Sequence, residues 1–245
     1  MMKKTLLALS LASTMLFSNA GITNADSTVD DILKLQPDIT KQELLEGVQE
    51  VSSSTGESEQ AILDKMYSEL KADQEQGNLE KMKLNQKDKG VSIQGGNAGS
   101  KIVGSSAKGN FYYTPSETAY LDHGHVGLFY TSTVIVEAVP SAGVRLIDAD
   151  ERKVDSSGAV VKSITASETV HKNATSWARS QVGQSYSYNF VNNRNTDHYG
   201  AKNCSKLIWS AYKIYGNLDL DVDKGLGVYP RDVRDAPGTK LVRNI

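Results

Sequence analysis

Three residues of this sequence have the types and settings needed for nucleophilic catalysis by a thiol. Cys204 is the single cysteine, and it lies in AKNCSKLIWSAYKIYG, where Asn203 can cap a helix whose apolar residues recur at helical spacing. The aligned peptide dipoles at a helix N-terminus favour a thiolate. His125 and Glu137, on two apolar strands upstream, supply a base and an orienting carboxylate. The alternative is that Cys204 is a small buried apolar residue, as most free cysteines are.

The histidines also raise the question of a metal site. His123 and His125 are two residues apart, so on a strand they would point to the same side. Such a pair can bind zinc, but a catalytic zinc needs a third protein ligand, and neither His171 nor His198 has suitable spacing. DLDVDKG, residues 219–225, starts like a calcium loop, but its glycine and its twelfth position do not fit. The sequence therefore predicts no metal and no cofactor, a base at His125 and a solvated acidic loop at 219–225. A partly exposed strand end is the alternative for either histidine, and it fits His123 better than His125.

Glu137 is the one charge in the apolar run TVIVEAV. A carboxylate in such a run is rarely buried without a partner. A hairpin that turns at Thr131 to Thr133 would bring this strand back beside the strand that begins near His125. The sequence therefore predicts that Glu137 lies close to His125, and the alternative is an outward-facing strand residue.

Hydrophobic periodicity divides the chain into a helical part and a strand-rich part. Residues 26–88 are predicted to be helical, because Thr40 and Glu43 form a capping-box pattern and apolar stripes follow in two successive helices. From Gly109, short runs rich in β-branched and aromatic residues predict strands, and two helices follow them. Strands in series followed by helices indicate an α+β fold with an antiparallel sheet. We place the junction between the two parts near Gly90.

The N-terminus has the features of a secretory signal peptide. Two lysines precede an apolar core from Leu6 to Phe17, and small residues offer cleavage sites after Ala20 or Ala25. This core is too short for a comfortable membrane span, and no later run is long enough to be one. We therefore expect residues 1–25 to be a signal peptide. The mature protein is expected to be secreted, extracellular or associated with the cell wall, without a transmembrane anchor.

Charge is unevenly distributed along the chain. Residues 26–89 contain 15 acidic and 8 basic residues, whereas residues 90–245 contain 14 acidic and 17 basic ones. The basic excess of the second part is too small to indicate a nucleic-acid partner. The acidic helical segment 26–89 could dock over the active site as a pro-region does. The alternative is a solvated helical spacer or an arm that binds a partner.

The order of these motifs is similar to that of a known family. GHVGLFY and VIVEAV, followed much later by WARSQVGQSYSYNF and NCSKLIW, resemble the YaeF/YiiX-like permuted papain-fold hydrolases over residues 109–242. These hydrolases are relatives of the NlpC/P60 cell-wall peptidases and of lecithin:retinol acyltransferase, and their histidine strand precedes their cysteine helix. The resemblance implies Cys204 as nucleophile, His125 as base and Glu137 as the residue that orients the histidine. Where the family usually shows Tyr-Cys-Ser-Glu-Leu, this chain departs at Asn203 and Lys206.

The resemblance implies a circularly permuted papain-like domain of the NlpC/P60 type over residues 90–245, preceded by the helical segment. It implies a secreted cysteine amidase or peptidase that acts through a thioester on a peptide or N-acyl amide bond, with a cell-wall fragment as one such substrate. Two alternatives stay open. One is a lipid acyltransferase or thioesterase of the same fold, and the other is a catalytically silent module that binds the cell wall.

Overall fold

The structure of the protein is a computed structural model that describes residues 22–87, 100–115, 123–155, 157–194 and 201–245. Most of the predicted signal peptide, and the predicted junction at residues 89 and 90, lie outside the described residues. Within the described part of the chain, no helix combines the length and the apolar character needed to cross a bilayer.

The N-terminal segment forms three helices, α1 (Ile22–Leu35), α2 (Lys41–Thr55) and α3 (Glu59–Lys87). The predicted capping box of α2 is confirmed, because the Thr40 hydroxyl accepts the N–H of Glu43 and the Glu43 carboxylate accepts the N–H of Thr40. Both α1 and α2 pack on α3. The apolar core that the three helices share contains Val29, Ile32, Ile39, Leu44, Val48, Val51, Ile62, Leu63, Met66 and Leu70.

The rest of the chain is built on an antiparallel sheet of six strands. The strands lie in the order β5, β4, β3, β2, β7, β8, and β1 and β6 form a separate pair. Short hairpin turns join β3, β4 and β5, so these strands are neighbours in both sequence and space. The strands are β1 (Lys101–Ile102), β2 (Phe111–Thr114), β3 (His125–Phe129), β4 (Val134–Val139), β5 (Gly143–Asp148), β6 (Lys153–Val154), β7 (Val160–Ile164) and β8 (Thr239–Asn244).

Helices cover one face of this sheet. α4 (Glu168–Ser180) packs on α5 (Cys204–Gly216), and α5 in turn contacts β3 and β4. Leu207 and Ile208 on the buried side of α5 share the main core with apolar residues of those strands. The short helix α6 (Pro230–Asp235) then returns the chain towards β8. The first turn of α5 is thereby held directly against β3, whose first residue is His125.

The elements confirm the predicted α+β class with an antiparallel sheet. The histidine strand precedes the cysteine helix, which is the order of a permuted papain-like domain. The predicted hairpin is also confirmed, because the Tyr130 N–H donates to the carbonyl of Val134 across the turn. Four elements were not predicted. β1 and β6 have only two residues each, which is too few to show a period. β8 is an edge strand whose residues are mostly exposed, so TKLVRN shows no alternation, and α6 is too short for helical periodicity to emerge.

The helical segment packs directly on the sheet domain. Phe190, Val191 and Tyr229 of the domain are buried in the apolar core of the three helices. The carboxylate of Glu69 on α3 accepts the N–H groups of residues 226 and 227 at 2.8 and 3.0 Å. Apolar contacts and hydrogen bonds therefore hold the segment against the domain, beyond any attraction between their net charges.

Candidate active site

Cys204 is the first residue of α5, and the residue before it sets its position. Asn203 has the extended backbone of an N-cap, and its side-chain oxygen accepts the N–H of Lys206 at 2.8 Å. The chain thus keeps a helix cap although it departs from the family sequence on both sides of the cysteine. The N–H of Cys204 has no intrahelical partner and lies at the positive end of the helix dipole. The residue is only 2% exposed.

His125 links Cys204 to Glu137. It is the first residue of β3, its Nε2 lies 3.0 Å from a Glu137 oxygen, and its ring is close enough to the Cys204 side chain to interact with it electrostatically. Burial alone would lower the pKa of His125, but the charges and hydrogen bonds of Cys204 and Glu137 raise it to about 9. The imidazolium is therefore favoured at neutral pH.

Glu137 is fully buried and supplies the negative charge on the far side of His125. One of its oxygens accepts Nε and Nη2 of Arg145 at 3.0 and 2.7 Å. The other accepts Nε of Arg152 at 2.9 Å, and it also accepts the hydroxyl of Tyr112. Burial alone would raise the pKa of Glu137, but His125 and Arg152 bring it far below its usual range. The carboxylate stays ionised and holds the imidazole in one orientation.

The sheet register explains how these groups meet. Glu137 pairs directly with Arg145 across β4 and β5. The register of β3 and β4 places Gly127 beside Glu137 on the other side. A Cβ at this glycine would lie 2.4 Å from a carbon of the Tyr112 ring. Gly127 therefore leaves room for the tyrosine that donates to the carboxylate.

His123 has different surroundings from His125. β3 starts only at His125, and the glycine between the two histidines has a φ of 74°, so the rule that alternate strand residues face the same side does not apply. Nδ1 of His123 hydrogen-bonds with the carboxylate of Asp73 on α3, and the rings of Phe190 and Tyr229 lie 5.2 Å from its own ring centre. The alternative of a partly exposed strand end was wrong. His123 is 3% exposed because the helical segment covers it.

Asp73 is held by a second cation. Nη1 of Arg231 on α6 donates to the other carboxylate oxygen at 3.0 Å. Burial alone would raise the pKa of Asp73, but His123 and Arg231 together lower it. The helical segment therefore supplies an ionised carboxylate to a histidine near the nucleophile.

A small pocket lies over Cys204. The turn between α1 and α2 forms one wall, and residues from the loop before α5 form another. The cavity volume is about 10 Å³, which is about the space that one water molecule needs. The pocket therefore leaves no room for a larger molecule beside the thiol unless part of this wall moves. The lining residues are Gln36, Asp38, Ile39, His123, Gly124, Tyr186, Tyr188, Phe190, Cys204 and Pro230.

The acidic loop at residues 219–225 is less solvated than predicted. Asp221 is buried and accepts Nη2 of Arg194 at 2.6 Å. Carboxylate oxygens of Asp221, Asp223 and Asp232 lie within 4.8 Å of one another, and no other group of described side chains has the spacing of a metal site. Burial raises the pKa of Asp221 to about 6 and that of Asp232 to about 8. Arg194 already provides a counter-charge, and the absence of a metal stays a prediction.

The three predicted residues meet in the structure, whereas most of the groups that support them were not predicted. Cys204, His125 and Glu137 form one connected group, and their catalytic roles stay predictions. Arg145 could have been found, because a buried carboxylate needs a partner and the hairpin after Glu137 brings this arginine opposite it. Arg152 gave no such local signal, since it reaches the carboxylate from a loop beyond the next strand.

The fold and the site together define an α+β protein with a buried cysteine–histidine–glutamate group. No family model matches the sequence. The sequence is 40% identical over 240 residues to the uncharacterized protein YycO of Bacillus subtilis (strain 168). The alignment covers 98% of this chain and 96% of YycO. The chain therefore belongs to the family of YycO.

A solved structure with a similar fold is the crystal structure of the metalloprotein yiiX from Escherichia coli O157:H7. It is 15% identical in sequence, covers 58% of this chain and 98% of its own, and has a TM-score of 0.46. A YiiX protein is thus among the structures that this chain is similar to. The kinship with NlpC/P60 peptidases stays a prediction.

Proposed function

We propose that the protein is a cysteine hydrolase that cleaves a peptide or N-acyl amide bond through a thioester. The observation that carries this proposal is the position of His125, which hydrogen-bonds with the buried Glu137 and interacts electrostatically with Cys204. A nucleophile, a base and a group that orients the base form the minimal arrangement for acyl transfer by a side chain.

The first half of the reaction uses this group directly. His125 holds the proton of the Cys204 thiol, and the sulfur bonds to the carbonyl carbon of the substrate. The N–H of Cys204 at the start of α5 stabilises the oxyanion that forms. The carbon–nitrogen bond then breaks, and His125 gives its proton to the leaving amine. Water finally splits the thioester into a carboxylic acid and the free thiol.

The ion cluster around Glu137 supports this role. Two arginines keep the carboxylate ionised, so it favours the imidazolium that exists while the amine leaves. Replacing a whole buried ion cluster by well-packed apolar residues is often neutral or stabilising, so stability alone gives little reason to keep a carboxylate with three cationic neighbours there. The cluster therefore favours a catalytic cysteine over the silent wall-binding module.

The substrate is proposed from the expected location of the protein. A signal peptide would deliver the enzyme to the cell surface, where peptide stems of the cell wall present amide bonds. Transfer of acyl groups to or from lipids is the enzymatic alternative, because it needs the same thioester step. Incubation of the protein with wall fragments and with lipid esters, followed by mass analysis of the products, separates the two.

The decisive variant is Cys204→Ala. We expect it to abolish both amide cleavage and labelling by iodoacetamide, while His125→Asn lowers cleavage by about 10²-fold or more. Each step uses side chains of this chain, so a chelator should leave the rate unchanged. Hydrolysis that survives in folded Cys204→Ala would refute the mechanism. A thiol that reacts only after denaturation would favour the silent module.

A further inference from the structure

Three polar atoms in the pocket beside Cys204 have no hydrogen-bond partner among the described residues. They are Nε2 and Oε1 of Gln36 and Nε2 of His123. Gln36 is 2% exposed and His123 is 3% exposed, so bulk water does not satisfy these atoms. An unsatisfied buried polar group costs about 1–3 kcal/mol, and such groups in native proteins generally serve a ligand or an ordered water.

The orientation of His123 is fixed by its neighbours. Its Nδ1 hydrogen-bonds with the Asp73 carboxylate, which Arg231 holds from the other side. The flanking rings of Phe190 and Tyr229 restrict rotation of the imidazole. With the proton of the neutral ring on Nδ1, Nε2 keeps a free lone pair. His123 can therefore accept a hydrogen bond, or a proton, from a group in the pocket.

The size of the pocket selects what that group can be. A volume of about 10 Å³ is at the lower limit for one water molecule, and a buried water needs two to four polar partners. Gln36 and His123 together supply three unpartnered polar atoms, which is a sufficient number. Both residues line the same pocket as Cys204, whose sulfur would carry the acyl group.

We propose that this pocket holds the water that hydrolyses the thioester on Cys204, with His123 as its base. This inference rests on the proposed function, and it assigns the residues that hydrolyse the thioester in the second half of the reaction. The water oxygen bonds to the acyl carbon while Nε2 of His123 takes one of its protons, and Gln36 holds the water in place. The carbon–sulfur bond breaks, the sulfur leaves as a thiolate, and it recovers the proton from His123 as the acid departs.

The two histidines thus divide the reaction between them. His125 serves the formation of the thioester, and His123 serves its hydrolysis. Because Gln36 and Asp73 belong to the helical segment, the segment is a working part of the active site rather than a pro-region to be discarded. A water already bound beside the thioester competes with every larger acyl acceptor, so the enzyme hydrolyses its thioester rather than transferring the acyl group.

The test measures the two halves separately on the full-length protein with p-nitrophenyl acetate. Release of nitrophenol in the initial burst reports acylation of Cys204, and the steady rate that follows reports hydrolysis. His123→Asn keeps a donor near Asp73 but lacks Nε2. We expect the burst to stay within about twofold, hydrolysis to slow by about 10²-fold or more, and acetyl-enzyme to accumulate in the intact mass.

Matched variants control for loss of packing. His171→Asn makes the same change at a histidine outside the pocket, and it should leave the rate of hydrolysis unaltered. Gln36→Met removes the carboxamide at similar volume and should slow hydrolysis by roughly tenfold. Gln181→Met is its control, because that glutamine is also buried but lies on the C-terminus of α4.

The outcomes separate this inference from the proposed function. Hydrolysis at the wild-type rate in both His123→Asn and Gln36→Met overturns the inference and leaves the thioester mechanism intact. A wild-type protein that shows no acetylation of Cys204 overturns both. If His123→Asn does not fold, the wild-type protein can still test the inference. Ethanolamine is added to compete with water for the acetyl group on Cys204, and the product should still be mainly acetate. A dominant yield of the ethanolamide overturns the water site.

Discussion

His125 and His123 are two residues apart, yet their surroundings are opposite in kind. His125 lies between Cys204 and Glu137, and its carboxylate partner is itself bound by two arginines and a tyrosine. His123 has one partner on Nδ1 and an open Nε2. A histidine held between two partner groups has a fixed proton position. A histidine with an unpartnered ring nitrogen can still bind another group.

The two centres also differ in where their partners come from. The sheet and an adjoining loop supply Glu137, Arg145 and Arg152 to His125. The partner of His123 is on α3 and is held in turn from α6. The first centre depends on the sheet domain alone, and the second exists only while the helical segment is docked. Substitutions can therefore disturb one centre without the other.

The largest effect is expected for Glu137→Gln. The change leaves two arginines next to a neutral amide, and breaking a buried ion pair costs about 3–5 kcal/mol. His125 also loses the charge that favours its imidazolium, so alkylation of Cys204 by iodoacetamide at pH 7 should slow by about 10²-fold. Chemical denaturation and alkylation rates measure the two effects. Glu151→Gln, at an exposed position, is the control, and equal rates in both variants would contradict the role of Glu137.

The same centre predicts how stability depends on pH. The pKa of Glu137 is lowered on folding, so its contribution is present above its unfolded pKa of about 4.3 and is lost as the pH falls below that value. The pKa of His125 is raised to about 9, so its contribution is complete below about pH 6.5 and is lost as the pH rises towards 9. The free energy of unfolding should therefore be greatest between about pH 4.3 and about pH 6.5. A continued rise from pH 7 to 9 would contradict the assignment.

Asp73→Asn should weaken the other centre. It removes the charge that faces both His123 and Arg231, at an expected cost of about 1–3 kcal/mol. Hydrolysis of the acetyl-enzyme should slow by roughly tenfold, because His123 loses the carboxylate that orients it. Alkylation of Cys204 should stay within about twofold of the wild type. If alkylation falls as far as hydrolysis does, the two centres are not independent.

Leu44→Ala tests whether the helical segment controls access to the thiol. Leu44 is fully buried in the core of the three helices, and its truncation costs about 2–5 kcal/mol. Weaker docking should let the turn between α1 and α2 open more often, so alkylation of Cys204 should become roughly tenfold faster while hydrolysis of the acetyl-enzyme slows. Leu79→Ala, at an exposed position of α3, is the matched control. Equal alkylation rates in folded proteins would show that the turn does not limit access.

The smallest effect is expected for Lys41→Ala. Lys41 pairs with Asp26 at 3.1 Å, but both side chains are more than half exposed. Such pairs contribute little, and the change in unfolding free energy should stay within about 0.5 kcal/mol. Alkylation of Cys204 should likewise be unchanged. A clear acceleration would mean that surface charge, rather than the buried contacts, holds the segment in place.

The difference between the centres also explains how far the sequence could predict the site. The lone cysteine behind a capping asparagine and the glutamate on a hairpin are local signals, and they predicted the three residues that the structure joins. Gln36 lies in the turn after α1 and Asp73 lies on α3, and neither segment carries a local signal of a functional site. Their approach to His123 depends on how α1, α2 and α3 dock, which no periodicity encodes.

The fold shows the same division. The capping box of α2 and the hairpin between β3 and β4 are set by neighbours in sequence, and both were predicted. β8 was not, because its pairing with β7 follows from tertiary packing at a sheet edge rather than from its own residues. The burial of Asp221 was missed for the same reason, since its partner Arg194 lies far away in the sequence.

The wall over Cys204 has a further consequence for the lifetime of the protein outside a reducing compartment. Oxidation of a cysteine depends on its thiolate character and on its exposure, and this one is almost inaccessible at rest. The sequence has no second cysteine to trap a sulfenic acid as a disulfide, so oxidation beyond that stage would be permanent. In the proposed hydrolase, a peroxide would reach the thiol through the same opening as a substrate. Each molecule would then be vulnerable to inactivation mainly during the intervals in which it can bind a substrate.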